Sequence, residues 1–102
     1  MLATKLKEKW IAALKSGKYP QGQRILRNPK GGYCCLAVLA EVSGHSTDKL
    51  VGHASNFGDS EVYDYLGALG MDHDSRSTFF YMNDVGGLTF SEIADSQAMK
   101  DA

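Results

Sequence analysis

Apolar residues recur at a helical spacing near the start of the chain. They fall on one face at intervals of three and four residues: Leu2, Leu6, Trp10, Ala13 and Leu14. This pattern predicts an amphipathic helix over residues 2–16, with lysines around the apolar stripe exposed to solvent. Gly17 follows and is suited to cap the end of that helix.

The longest uninterrupted apolar run covers the eight residues from Tyr33 to Ala40. A helix that is apolar on nearly all sides is normally buried. We therefore predict that a helix over about residues 33–43 forms the centre of the fold. Gly44 can end it by the same capping geometry as Gly17.

The remaining pattern predicts further short helices and one extended piece. Helices are expected from Asp59 or Ser60 to about Leu69, over residues 78–83 behind a Ser75 or Ser77 cap, and from Phe90 to about Met99. Thr89-Phe90-Ser91-Glu92 has the spacing of a capping box. A short extended or two-stranded piece is expected near residues 22–28, followed by a turn at Asn28-Pro29-Lys30-Gly31. The sequence thus predicts a mainly α fold, a single domain over residues 1–102, with four to five short helices around the central one.

Composition agrees with a small folded domain. The chain has 102 residues, of which 43% are hydrophobic and 23% charged, and this balance is typical of globular proteins. No apolar run approaches the ~20 residues of a membrane helix, so no membrane association is expected. Cys34 and Cys35 are adjacent, and an unstrained disulfide needs a longer span, so reduced thiols and a cytoplasmic location are expected. No zinc-ligand spacing is present, and no metal or cofactor is predicted.

Charge is distributed unevenly along the chain. Residues 1–30 contain eight basic residues and one acidic residue, whereas residues 31–102 contain three basic and eleven acidic residues. Such asymmetry indicates either an anionic partner for the basic part or packing of the two parts against each other.

A candidate anion site lies at the start of the predicted central helix. Glycines there let backbone amides approach a ligand, and a helix N-terminus favours negative charge. Basic side chains just before it can close around a phosphate, and a tyrosine can stack on a base. The candidate ligand-binding residues are Arg24, Arg27, Lys30, Gly31, Gly32 and Tyr33. The alternative is an ordinary glycine turn whose basic residues are solvated or paired with the acidic part.

A thiol nucleophile is a second possibility. Cys34 or Cys35 stands at the predicted helix start, where the helix dipole lowers a thiol pKa. His53 is the best placed base in the sequence. The segment from Gly32 to Leu36 resembles the nucleophile segment of NlpC/P60-type and papain-like cysteine hydrolases, without the strands that carry the histidine in those folds. The alternative is a pair of core thiols.

Three consecutive polar residues form a candidate metal site. Asp72-His73-Asp74 could bind a divalent cation, although it lacks the glycine and glutamate of a calcium loop. A solvated surface is the favoured explanation for these carboxylates.

Two segments together resemble a family of small uncharacterised phage and prophage proteins. Tyr33-Cys34-Cys35-Leu36-Ala37-Val38-Leu39 is similar to its Tyr/Phe-Cys-Cys-Leu-Gly-Val-Leu signature, with Ala37 in place of glycine. Asn83-Asp84, followed by Phe90-Ser91-Glu92-Ile93-Ala94-Asp95, is similar to its C-terminal Asn-Asp and Phe-x-Glu-Ile-Ala-Asp helix. The resemblance leaves residues 44–77 unmatched. It implies a phage accessory role in the host cytoplasm and no particular activity.

These observations favour a non-enzymatic, phage-type accessory protein. Its basic N-terminal third is expected to engage a host protein or a nucleotide-like anionic ligand. The alternative is a small cysteine-dependent hydrolase or transferase that uses Cys34 or Cys35 with His53. A homo-oligomer joined head to tail by opposite charges is a third possibility. DNA binding is less favoured, because no helix–turn–helix pattern is visible and the acidic part would oppose phosphate contacts.

Overall fold

The computed structural model describes residues 2–23, 27–45 and 60–102. Six helices lie in these residues, and the predicted mainly α fold is confirmed. In chain order they are α1 (Thr4–Lys15), α2 (Cys35–Val42), α3 (Ser60–Ala68), α4 (His73–Asp84), α5 (Phe90–Ala94) and α6 (Gln97–Asp101).

The first helix presents the predicted apolar face to the core. Trp10 and Leu14 of α1 are buried, and Leu2 is buried just before its first residue. Leu6 and Ala13 are half-buried and pack at the edge of the core. The periodicity of the sequence therefore identifies the packed face of α1 correctly.

The buried central helix is confirmed as α2, where all six residues from Cys35 to Ala40 are buried. It begins two residues later than the predicted start at Tyr33. The backbone of Tyr33 is instead held in an extended segment, because its N–H donates to the Pro20 carbonyl at 2.7 Å and its carbonyl accepts from the Gly22 N–H at 2.8 Å. Pairing with residues 20–22 thus delays the helix.

The predicted extended piece exists as isolated bridges around Tyr33. This residue pairs with Gln21 in parallel and with Arg27 in antiparallel orientation. Gly22 and Gly32 meet here: a Cβ atom on Gly32 would lie 3.0 Å from the Gly22 Cα atom. Only glycine allows the two backbones to approach this closely. Residues 24–26 lie outside the described part of the chain.

Helix α4 begins earlier than predicted. The sequence suggested a Ser75 or Ser77 cap and a helix over residues 78–83, but α4 starts at His73 with Asp72 as its cap. The Asp72 carboxylate accepts the Ser75 N–H at 2.8 Å, which satisfies an amide that the helix itself cannot bond.

The prediction of a single C-terminal helix over residues 90–99 is wrong. The structure contains two helices there, α5 and α6. The capping box at the start of α5 is confirmed, with the Thr89 hydroxyl and the Glu92 carboxylate bonded reciprocally to backbone amides. Ser96 then caps α6, because its hydroxyl accepts the Met99 N–H at 3.2 Å. The break turns α6 so that Met99 reaches the core and the Ala102 carbonyl accepts the Leu2 N–H at 3.1 Å.

One core takes side chains from all six helices. At its centre the Trp10 and Phe79 rings lie 4.8 Å apart, and the Trp10 indole N–H donates to the Cys35 carbonyl at 3.0 Å. No helix in the described ranges has the length and hydrophobicity needed to cross a membrane.

Candidate functional site

A buried amide stands where α4 meets the start of α2. Asn83 is fully buried, and its Oδ1 atom accepts the Gln21 Nε2–H at 3.0 Å and the Cys35 backbone N–H at 3.3 Å. Its Nδ2 group donates to the Gly22 carbonyl at 2.8 Å and to the Asp84 carboxylate at 2.7 Å. Asn83 therefore joins α4 to α2 and to the extended segment between α1 and α2.

Gln21 extends this network toward α5. Its Nε2 group also donates to the Leu88 carbonyl at 2.8 Å, and its Oε1 atom accepts the Phe90 N–H at 3.1 Å. Phe90 is the first residue of α5. We call Gln21 and Asn83 together the amide hub, because these two side chains connect the segments around the start of α2.

The amide hub changes the interpretation of the predicted anion site. The Cys35 N–H, at the start of α2, is bonded to Asn83. The Gly31 N–H donates to the Asn28 carbonyl at 2.8 Å, and the Tyr33 N–H donates to the Pro20 carbonyl. Three backbone amides that a ligand could have used are therefore already bonded within the fold.

The side chains of the predicted anion site are only partly brought together. The Arg27 guanidinium lies over the Tyr33 ring, 4.5 Å from its centroid, in a cation–π contact. Lys30 is exposed on the turn beside them, whereas Gly32 is half-buried. Arg24 lies outside the described residues.

Tyr19 continues this cluster toward α1. Its ring meets the Tyr33 ring edge to face, with the centroids 5.1 Å apart. Arg27, Tyr33 and Tyr19 therefore form a continuous cation–aromatic row between the turn and the end of α1.

Both thiols are completely buried in the core. The Cys35 Sγ–H donates to the Phe79 carbonyl at 3.4 Å. Burial raises the pKa of the Cys35 thiol well above its usual value, and the neighbouring Cys34 and Asp84 raise it further. A nucleophilic cysteine needs access to its substrate and a lowered thiol pKa. The surroundings of Cys34 and Cys35 are instead those of thiols packed in a core. His53 lies outside the described residues.

The acidic tripeptide Asp72-His73-Asp74 lies at the start of α4. Asp72 caps α4, while His73 and Asp74 are exposed, with 3.7 Å between His73 Nδ1 and Asp74 Oδ1. In residues 2–23, 27–45 and 60–102, no three His, Cys, Asp or Glu side chains are grouped in a way that could hold a metal ion.

A groove lies along the surface of α1. Two adjoining cavities of about 420 and 380 Å³ share Lys9 and Val42 in their linings. The first continues to Lys18 and Tyr19, and the second continues to Lys5. We call this pair of cavities the α1 groove. It combines an apolar floor with exposed ammonium groups.

Sequence reasoning missed both the amide hub and the α1 groove. A signal for Asn83 was available, since it follows Phe79 by four residues and so shares the buried face of α4. For Gln21, which lies between a proline and a glycine, no comparable periodic signal exists.

Comparison with known proteins gives one family match. The family described as "Domain of unknown function (DUF8296)" matches residues 2–70. That range includes the Cys34-Cys35 segment, Gln21 and the α1 groove, and it ends before Asn83. No curated protein and no solved structure matches the chain significantly. With more than half of its length matched, the chain belongs to the DUF8296 family.

Proposed function

We propose that this protein is a non-enzymatic binding module, a phage-type accessory protein that engages an anionic partner through its basic N-terminal third. The partner is a host protein or a nucleotide-like ligand, met in the host cytoplasm. One observation carries the proposal: Lys5, Lys9 and Lys18 are exposed, and their ammonium groups make no ion pair within the described part of the chain.

Within residues 2–23, 27–45 and 64–102, no carboxylate of the acidic part forms an ion pair with these three lysines. An ion pair does join the two parts, between Lys15 and Asp95 at 2.6 Å, but it involves neither the α1 groove nor the turn at Lys30. Lys7 donates to the Lys100 carbonyl at 3.1 Å. Unpaired lysines on one surface create a positive potential that attracts anions and accelerates their association.

The environment of the thiols supports binding rather than catalysis. Cys34 and Cys35 are shielded from any substrate by the core, and burial keeps the Cys35 thiol protonated by raising its pKa. A cysteine hydrolase would need the opposite arrangement. Buried, reduced thiols also suit the proposed cytoplasmic setting.

Thermal shift with a panel of anions tests the proposal. The panel contains nucleotides, cyclic dinucleotides, short single-stranded DNA and polyglutamate, measured at low and high salt. A ligand at 100 times its Kd should add ~2.7 kcal/mol to the free energy of unfolding. The effect should weaken at high salt, because exposed charges are screened.

Two sets of variants locate the binding surface. The first replaces Lys5, Lys9 and Lys18 together by glutamine, and the second combines Arg27→Ala with Lys30→Ala. Lys100→Gln, an exposed lysine of α6, is the control. Loss of the shift in either set, with the control unchanged, supports the proposal. If no anion stabilises the protein, or if both sets respond like the wild type, the nucleotide-like ligand is ruled out.

A further inference from the structure

We infer that the α1 groove binds an acidic amphipathic helix of a protein partner. This inference rests on the proposed function and specifies the class of partner. It follows from the length, the lining and the charge of the groove.

The groove follows one side of α1 for most of its length. Lys5, Lys9, Ala12 and Ser16 line it at intervals of three and four residues, and therefore form a stripe along the helix. The twelve residues of α1 span about 18 Å at ~1.5 Å per residue. A partner helix of about three turns matches this length.

The floor of the groove is apolar and built on the core. Leu6, Ala13, Val42 and Leu69 line it, and all four are half-buried side chains that pack against the core from the outside. Their exposed surface can be covered by the apolar face of a helix, whose anchors recur at three- and four-residue intervals. Because the floor rests on packed side chains, little ordering is needed on this side of the contact.

The charge of the lining favours an acidic partner. Among the described residues that line the two cavities, three are lysines, Lys5, Lys9 and Lys18, and none is acidic. Their flexible stems can lie along the apolar floor while the ammonium groups reach the rim. Carboxylates flanking the apolar face of the partner would meet these groups, whereas a basic helix would be repelled.

The lining favours a protein helix over single-stranded nucleic acid. Proteins that bind single strands stack successive bases on several aromatic side chains. In the described residues, Tyr19 is the one aromatic side chain that lines the α1 groove, and small side chains such as Ala12 and Ala13 occupy its middle. Small residues give a close approach to a helix but offer no face on which a base can stack.

Selection from a random peptide library tests this inference. Sixteen-residue peptides displayed on yeast are sorted for binding to the full-length protein, and the enriched sequences are read. We expect enriched peptides to combine several Glu or Asp residues with apolar residues at three- and four-residue spacing. Synthetic copies are then measured by fluorescence anisotropy against the wild type and its variants.

Ala12→Glu is the decisive variant. Ala12 is exposed, lines the groove and lies within α1, so glutamate, a good helix former, should leave the fold intact. It obstructs the groove and repels an acidic helix, and we expect at least about tenfold weaker binding. Ala68→Glu, an exposed alanine of α3 outside the groove lining, is the matched control and should bind like the wild type. Circular dichroism and thermal unfolding confirm that both variants fold.

The outcomes separate this inference from the proposed function. If no peptide is enriched, if enriched peptides lack the acidic amphipathic pattern, or if Ala12→Glu binds them normally, the groove inference is overturned. The proposed function still stands in those cases if the anion panel shifts stability and the lysine variants abolish the shift. If single-stranded DNA binds both the wild type and Ala12→Glu, and only the lysine variants lose it, the basic surface serves nucleic acid instead. If the anion panel and the library are both negative, both proposals fail.

Discussion

Replacing Asn83 by alanine should destabilise the fold more than its small size suggests. The side chain is fully buried and makes four hydrogen bonds. In the variant, the Cys35 N–H, the Gly22 carbonyl and the Asp84 carboxylate each lose a partner. Gln21 retains its bonds to Leu88 and Phe90.

The size of the effect follows from the polar groups that lose Asn83 as a hydrogen-bond partner. A buried donor or acceptor that loses its partner costs ~1–3 kcal/mol, and more if it is charged. The Cys35 amide lies in the core, and Asp84 is 8% exposed, so water can compensate only in part. Allowing for relaxation and non-additivity, we expect a loss of about 3–5 kcal/mol. That is a large share of the ~5–15 kcal/mol that stabilises a typical domain.

Urea denaturation followed by tryptophan fluorescence measures this loss. The chain contains one tryptophan, and Trp10 is fully buried and bonded to the Cys35 carbonyl, so its emission reports on the core beside the hub. Gln97→Ala is the control, because that exposed amide makes one hydrogen bond, to Asp101 at 2.9 Å. It should change stability by no more than ~0.5 kcal/mol.

A loss below ~1 kcal/mol for Asn83→Ala would refute the importance of the hub, since it would fall within the range of a single ordinary hydrogen bond. If Asn83→Ala does not fold, Gln21→Ala tests the same reasoning. It removes three hydrogen bonds from a half-buried side chain, and we expect a loss of about 1–3 kcal/mol. A Gln21→Ala variant as stable as the wild type would contradict the argument independently.

Three further predictions follow from the described contacts. Because burial raises the pKa of Cys35, its thiol stays neutral in the folded state while the unfolded thiol ionises near ~8.5. The free energy of unfolding should therefore fall as pH rises above that value. Iodoacetamide should label the cysteines only after the protein unfolds. Rapid labelling of either thiol in the native protein, read by mass spectrometry, would contradict this. The Ser75 backbone N–H lowers the pKa of Asp72, so its capping contribution is present above the ordinary value of ~3.9 and lost as pH falls. Asp72→Asn retains the capping oxygen, and its melting temperature should depend less on pH below ~4 than that of the wild type. Gly32→Ala places a Cβ atom 3.0 Å from the Gly22 backbone, and urea denaturation should show a loss of roughly 1–3 kcal/mol; an unchanged midpoint would mean that the two segments can separate freely.

Local features were readable from the sequence because their causes lie within one or two helical turns. The apolar stripe of α1 identified Trp10 and Leu14 as core residues, and the all-round hydrophobicity of residues 35–40 identified the buried central helix. The capping box at Thr89 was readable for the same reason, since both of its bonds join residues three positions apart. The excess of basic residues in the first thirty positions left two interpretations open, an anionic partner or packing against the acidic part of the chain.

Tertiary structure alone decided how these elements meet. Gln21 and Asn83 are 62 residues apart in the chain, and their bond exists only because α4 packs beside the start of α2. The same packing bonds the Cys35 amide internally, and pairing of Tyr33 with residues 20–22 delays α2. The α1 groove likewise needs Val42 and Leu69 from other segments beside α1. Periodicity determines which face of a helix is apolar, but the shape of a surface depends on distant residues brought together by packing.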